Sequence, residues 1–153
     1  MILYLFCNFT QLPTKTKVIL LIQAAGMLGG TSTHLYWVIR HGFFSEAYHS
    51  PLFSVILWDS LTFLDPIAAV LLIVKPRVGV WLTAIIISID VFHNSIPLPL
   101  LSPRPLLEIW PTLFTHWMII SQVAFLIFVL ATFRGNLLTI KLSTKGEICS
   151  DAN

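Results

Sequence analysis

The chain has 153 residues, of which 56% are hydrophobic and only 10% are charged. Soluble domains carry about 25% charged residues, so this composition excludes an ordinary soluble domain and indicates one integral membrane domain, residues 1–153. The formal net charge of +2 is too small to indicate a nucleic-acid partner.

Four apolar segments are long enough to cross a lipid bilayer as helices, which rise about 1.5 Å per residue. They predict an all-α fold, a bundle of four transmembrane helices at residues 18–39, 52–74, 78–96 and 110–133. Only Lys75, Pro76 and Arg77 separate the second segment from the third, which predicts a tight antiparallel hairpin. We expect a short segment before the first helix and a polar tail after the last.

Lysine and arginine residues indicate the orientation of the helices, because they are enriched in cytoplasmic loops. Seven fall on one side of the predicted membrane and two on the other: Lys15, Lys17, Lys75, Arg77, Arg134, Lys141 and Lys145 against Arg40 and Arg104. This bias predicts that both termini are cytoplasmic. We expect a multi-pass protein of the bacterial inner membrane, with a eukaryotic endomembrane as the alternative.

Polar side chains occur inside all four predicted helices, although ionisable groups are costly within a bilayer. Counting from the predicted helix ends places six of them at a similar depth near the outer surface: His34, Asp59, Asp90, His93, Asn94 and His116. Asp65 lies nearer mid-depth and precedes Pro66, which has no N–H for the carbonyl of Thr62. Each helix has one polar side, and we expect these sides to face inward.

Two interpretations of these polar groups stay open. In the first, interhelical pairs simply hold the helices together. In the second, the groups form an outward-opening pocket for a small amphipathic or cationic ligand, with Asp59 as counter-ion and Asp90 and His116 orienting the ligand. An Asp–His pair that transfers protons would instead make the protein an enzyme of the isomerase kind.

A metal or haem site is a further alternative, since histidine and carboxylate are suitable metal ligands. Two axial haem ligands would come from among His34, His93 and His116. However, no HxxxH or HxxEH pair lies within a predicted helix. We therefore assign no metal ligand and no cofactor.

The spacing of Asp90, His93 and Asn94 predicts a polar cluster on one face of the third helix. An isolated ionised carboxylate at this depth would be costly, so Asp90 should have a partner on another helix. The candidates are His34, Asp59 and His116.

Gly26 and Gly30 form a small-xxx-small pair in the first helix, a spacing that lets another helix approach closely. The pair is a candidate contact for oligomerisation.

The stretches WDSLTFLDP and IIISIDVFHNSIP resemble the four-helix EXPERA proteins, the group of the emopamil-binding proteins and the sigma-2 receptor. The resemblance runs from the second helix onward. It implies cytoplasmic termini and an acid-lined pocket for sterol-like or cationic amphiphiles, with Asp59 and Asp90 as candidate acids. It also implies either a double-bond isomerase or a non-enzymatic binding protein. The acidic residue of the family's first helix is missing here, and His34 is its nearest counterpart.

Overall fold

A computed structural model describes residues 9–95 and 117–150 of the chain. Within these ranges it is built from four long helices and no strand, which confirms the predicted all-α four-helix bundle. The elements are α1 (Thr14–His41), a one-turn 3-10 helix (Glu46–Tyr48), α2 (Leu52–Val74), α3 (Pro76–Ser95) and α4 (Trp117–Ser150). We call the end of the bundle at residues 75–77 the hairpin end, and the end at residues 42–51 the loop end.

The bundle has apolar side chains on its outside and polar side chains in its interior. All four helices are long and apolar enough to cross a membrane. Large apolar side chains cover the outside; Ile39, Phe53 and Phe92 expose 73%, 70% and 69% of their surface. Polar side chains lie inside, among them Gln23, Asp59, Asp65, Thr83, Asp90 and Asn136. This is the arrangement of an integral, multi-pass membrane protein.

Prolines mark the start of three helices. Pro13 and Pro51 directly precede α1 and α2, and Pro76 is the first residue of α3, where an N–H has no helical acceptor. α2 has the predicted bounds. α1 exceeds the predicted residues 18–39 at both ends, because the polar first turn with Lys15 and Lys17 is also helical.

The last helix is longer than the sequence pattern predicted. α4 continues to Ser150, which corrects the helix end predicted at residue 133 and makes residues 134–150 helical instead of a tail. No proline interrupts this segment, and Asn136 and Ile140 are buried. Ile140 belongs to the same apolar cluster as Leu12, which precedes α1. The predicted start of this helix, residues 110–116, lies outside the described residues.

The helices pack in chain order, so that α2 contacts α1 and α3, and α3 contacts α2 and α4. α2 and α3 approach closely in the hairpin that joins them. A Cβ atom on Gly79 would overlap the backbone of Leu71 and Leu72, so α3 passes α2 here with no room for a side chain.

Gly26 and Gly30 both face other helices of the same chain. A Cβ atom on Gly26 would lie 2.5 Å from the ring of Phe125 in α4. One on Gly30 would lie 2.7 Å from Oδ2 of Asp65 in α2. The two glycines therefore serve packing within the bundle, and oligomerisation through them stays a prediction.

Candidate functional site

A hydrogen-bonded polar network joins α2, α3 and α4 towards the loop end. Gln122 Nε2 donates to Asp90 Oδ2 at 2.8 Å, and Asn94 Nδ2 donates to Asp90 Oδ1 at 2.9 Å. Asn94 Nδ2 also lies 3.2 Å from Gln122 Oε1, and Trp58 Nε1 donates to Asn94 Oδ1 at 3.1 Å. Both carboxylate oxygens of Asp90 are thus satisfied, and four side chains from three helices form one unit.

This network confirms that Asp90 faces inward and has a hydrogen-bonding partner on another helix. The carboxylate is only 5% exposed, and its partner on α4 is Gln122. Gln122 was not among the three candidates. The Asp90–Asn94 contact is the predicted one between residues four apart on a helix. His116, the candidate on the fourth helix, lies outside the described residues.

His93 lies at the edge of this network and packs against aromatic rings. Its imidazole centroid is 5.7 Å from those of Phe53 and Trp58, both in α2. The buried Nε2 has no hydrogen-bond partner among the described residues. The His93 imidazole therefore packs against the indole of Trp58, whose N–H donates to Asn94.

Asp59 anchors the loop that follows α1. Its Oδ2 accepts a hydrogen bond from the backbone N–H of Phe44 at 2.7 Å, and the side chain is 3% exposed. Phe44 has a positive φ of 54°, which is uncommon for a non-glycine residue. A charge-assisted hydrogen bond is about twice as strong as a neutral one, so it helps to hold this conformation. The residue predicted as counter-ion thus has a structural partner in the loop.

His34 and Asp59 interact electrostatically across the α1–α2 contact. His34 lies one helical turn beyond Gly30 towards the loop end, on the same side of α1. His34 therefore lies near a carboxylate of α2.

Asp65 lies in the core of the bundle, 5% exposed, where the missing side chain of Gly30 leaves room for its carboxylate. No described residue donates a hydrogen bond to it. Among the described residues, two other oxygens on the preceding turn lack their usual donor. Oγ1 of Thr62 is buried without a partner, and Pro66 has no N–H for the Thr62 carbonyl.

Asp65 and Asp90 are close enough for their charges to interact. No lysine or arginine lies within residues 18–39, 52–74, 78–95 or 117–133. Asp65 and Asp90 therefore lie in the same core, and the spanning segments contain no side chain with a permanent positive charge. Among the described residues, side-chain amides donate to Asp90 but not to Asp65.

A second polar contact crosses the bundle between α1 and α4. Gln23, fully buried, donates from Nε2 to Thr132 Oγ1 at 2.9 Å, and this hydroxyl donates to the Phe128 carbonyl at 2.8 Å. Asn136, one turn further along α4, is 2% exposed. The predicted polar tail after residue 133 had included Asn136.

The predicted site residues thus form two groups. One, between α1 and α2, contains His34, Asp59 and Asp65; the other, between α2, α3 and α4, contains Asp90, His93 and Asn94. The charge interaction between Asp65 and Asp90 links them. Within the part of the chain that the structure describes, no three His, Cys, Asp or Glu side chains are grouped as a metal site would require.

Comparison with known proteins gives no functional assignment, so the assignment depends on the geometry of the polar groups described above. No protein-family model, curated protein or solved structure shows significant similarity to the chain. The resemblance to the EXPERA proteins therefore stays a prediction.

Proposed function

We propose that this integral membrane protein binds a small ligand that has a positively charged group and an apolar body. Asp65 is the counter-ion in this proposal, with Asp90 and its amide partners beside it. The single observation that supports the proposal is the Asp65 side chain, which is 5% exposed in a bundle whose spanning segments contain no lysine or arginine to balance its charge. The ligand class is the one that the EXPERA resemblance implies.

The chemistry of the α2 turn before Pro66 supports a cationic ligand. A carboxylate near the bilayer centre costs at least about 2.5 kcal/mol, and a bound cation would offset this cost. The Asp65 carboxylate and the two Thr62 oxygens can all accept hydrogen bonds. The single donor in this group is the Thr62 hydroxyl, whose proton can rotate away from the ligand. An ammonium group needs acceptors of this kind, and the apolar helix faces suit the rest of an amphipathic molecule.

The proposal predicts that Asp65→Asn weakens the binding of a long-chain alkylammonium ion. Since a hydrogen bond to a charged group contributes about 1.5–3 kcal/mol, the affinity should fall roughly 10- to 100-fold. Calorimetric titration of the purified protein in nanodiscs measures this. The alcohol of the same chain length should bind wild type and variant equally, because it carries no charge.

Two matched variants distinguish a site from a general charge effect. Glu46→Gln removes an exposed carboxylate of the loop and should leave alkylammonium binding unchanged. Asp59→Asn tests the other candidate counter-ion. If Asp59→Asn abolishes binding and Asp65→Asn does not, the assignment of Asp65 is wrong. If wild type does not discriminate between the amine and the alcohol, the proposed function itself is wrong.

A second candidate function is proton transfer by His34 and Asp59, which lie towards the loop end on the two adjacent helices α1 and α2. Turnover of an isomerisable lipid that is lost in His34→Gln and kept in Asp65→Asn would favour this enzyme.

We also propose that both termini are cytoplasmic, from the distribution of lysine and arginine. In a variant with Cys7 and Cys149 replaced by serine, Glu46→Cys should react with a membrane-impermeant maleimide in intact cells. Lys75→Cys should react only after permeabilisation. The opposite labelling pattern would reverse the orientation.

A further inference from the structure

An apolar groove runs along the outside of the bundle between α3 and α4, separate from the Asp65 site. It encloses about 380 Å³, and its walls include Trp81, Ile85 and Ile89 of α3 and Leu130 and Phe133 of α4. Trp81 and Phe133 meet edge to face, with centroids 4.7 Å apart. In a membrane this groove faces lipid.

Basic side chains lie where the groove approaches the hairpin end. The contacts Trp81–Phe133 and Asp90–Gln122 show that α3 and α4 are antiparallel. Arg77 lies one turn before Trp81 on the same face of α3. When α3 and α4 are aligned at the Trp81–Phe133 contact, Arg77 lies at the same height as the part of α4 between Arg134 and Lys141. All three basic side chains are exposed.

The start of α3 adds to the positive potential at this end. α3 begins at Pro76, and the first turn of a helix carries a partial positive charge from the helix dipole, although the N–H groups of Val78 and Gly79 already donate to the Lys75 carbonyl. The α3 wall of the groove, from Trp81 to Ile89, is roughly 12 Å long at about 1.5 Å per residue, which is most of the ~15 Å hydrocarbon depth of one leaflet.

We propose that this groove and its basic end form a binding site for one anionic phospholipid. An acyl chain lies along Trp81, Ile85 and Leu130. The phosphate lies at the start of α3, between Arg77 and the basic side chains of α4. Charge complementarity selects the head group, and the groove accommodates the chain.

Native mass spectrometry of the full chain, with phosphatidylglycerol and phosphatidylcholine of identical acyl chains, tests the proposal. Wild type should retain one phosphatidylglycerol in preference to phosphatidylcholine. Arg77→Gln and Lys141→Gln should each lower phosphatidylglycerol retention about fivefold and leave phosphatidylcholine retention unchanged. Trp81→Ala should lower the retention of both lipids.

Lys15→Gln is the matched control, because it removes one exposed positive charge at the same end but on α1. It should leave the preference unchanged, and Arg77→Lys should preserve most of it. Equal retention of the two lipids by wild type would overturn the proposal. So would a loss in Lys15→Gln as large as that in Arg77→Gln, since this would indicate only a general surface potential.

Discussion

Replacing Gly79 with alanine is expected to lower the free energy of unfolding by about 1–3 kcal/mol or more, as overpacking does in close-packed interiors. The added methyl group would overlap the backbone of Leu71 and Leu72, and backbone atoms cannot rotate away as a flexible side chain can. The α2–α3 hairpin would have to open, which separates the two helices that carry Asp65 and Asp90. Unfolding in a mixed-micelle denaturant titration, followed by circular dichroism, measures the loss.

Two other glycines provide the control for this prediction. At Gly29 and Gly135 a Cβ atom would have no neighbour within 4 Å. Alanine at either position should be neutral or stabilise the helix by up to about 1 kcal/mol, because glycine is the poorer helix former. If Gly79→Ala unfolds at the same denaturant concentration as Gly29→Ala, the hairpin is not as close as described.

Asn94→Leu should produce the second large effect, because Asn94 takes part in three of the four hydrogen bonds of the polar network. The substitution leaves the Trp58 N–H, one Asp90 oxygen and the Gln122 carbonyl oxygen without this partner. At about 1 kcal/mol for each bond, the free energy of unfolding should fall by roughly 3 kcal/mol. The same denaturant titration measures it.

A double-mutant cycle with Gln122→Leu separates a network from independent contacts. If the four side chains act as one unit, the combined loss should be smaller than the sum of the single losses by at least about 0.5 kcal/mol. Ser121→Ala is the control, since its hydroxyl is exposed and donates only to the Met118 carbonyl of its own helix. Strict additivity would contradict the network.

The helices could be predicted well where composition and helix breakers agree. Pro51 and the Lys75-Pro76 step limit α2 on both sides, so its predicted bounds match the structure. The end of α4 was missed because the polar residues after Arg134 suggested a tail outside the membrane. A helix does not end where the hydrocarbon ends, and buried Asn136 and Ile140 continue the packing.

The site could be predicted only as far as spacing along one helix determines contacts. The Asp90–Asn94 pair follows from residues four apart, and the inward face of α3 follows from helical periodicity. The indole of Trp58 and the amide of Gln122 contact this pair from other helices. The sequence of one helix does not determine how far it is shifted along its neighbour, so these contacts could not be predicted. The Asp59–Phe44 contact depends on a left-handed loop residue, φ 54°, which the sequence gives no reason to expect.

The length of α4 has a mechanical consequence. One uninterrupted helix carries Gln122 towards the loop end and Ile140 beside Leu12, and these two positions are roughly 27 Å apart at about 1.5 Å per residue. Ile140 packs in the cluster of Leu12, and Lys17 donates a hydrogen bond to the Thr10 carbonyl, which ties this segment to α1. α4 is therefore one continuous helix that contacts both the Asp90 network and the apolar cluster of Leu12. We expect a substitution that displaces α4 at Asp90 to displace the segment that precedes α1 as well.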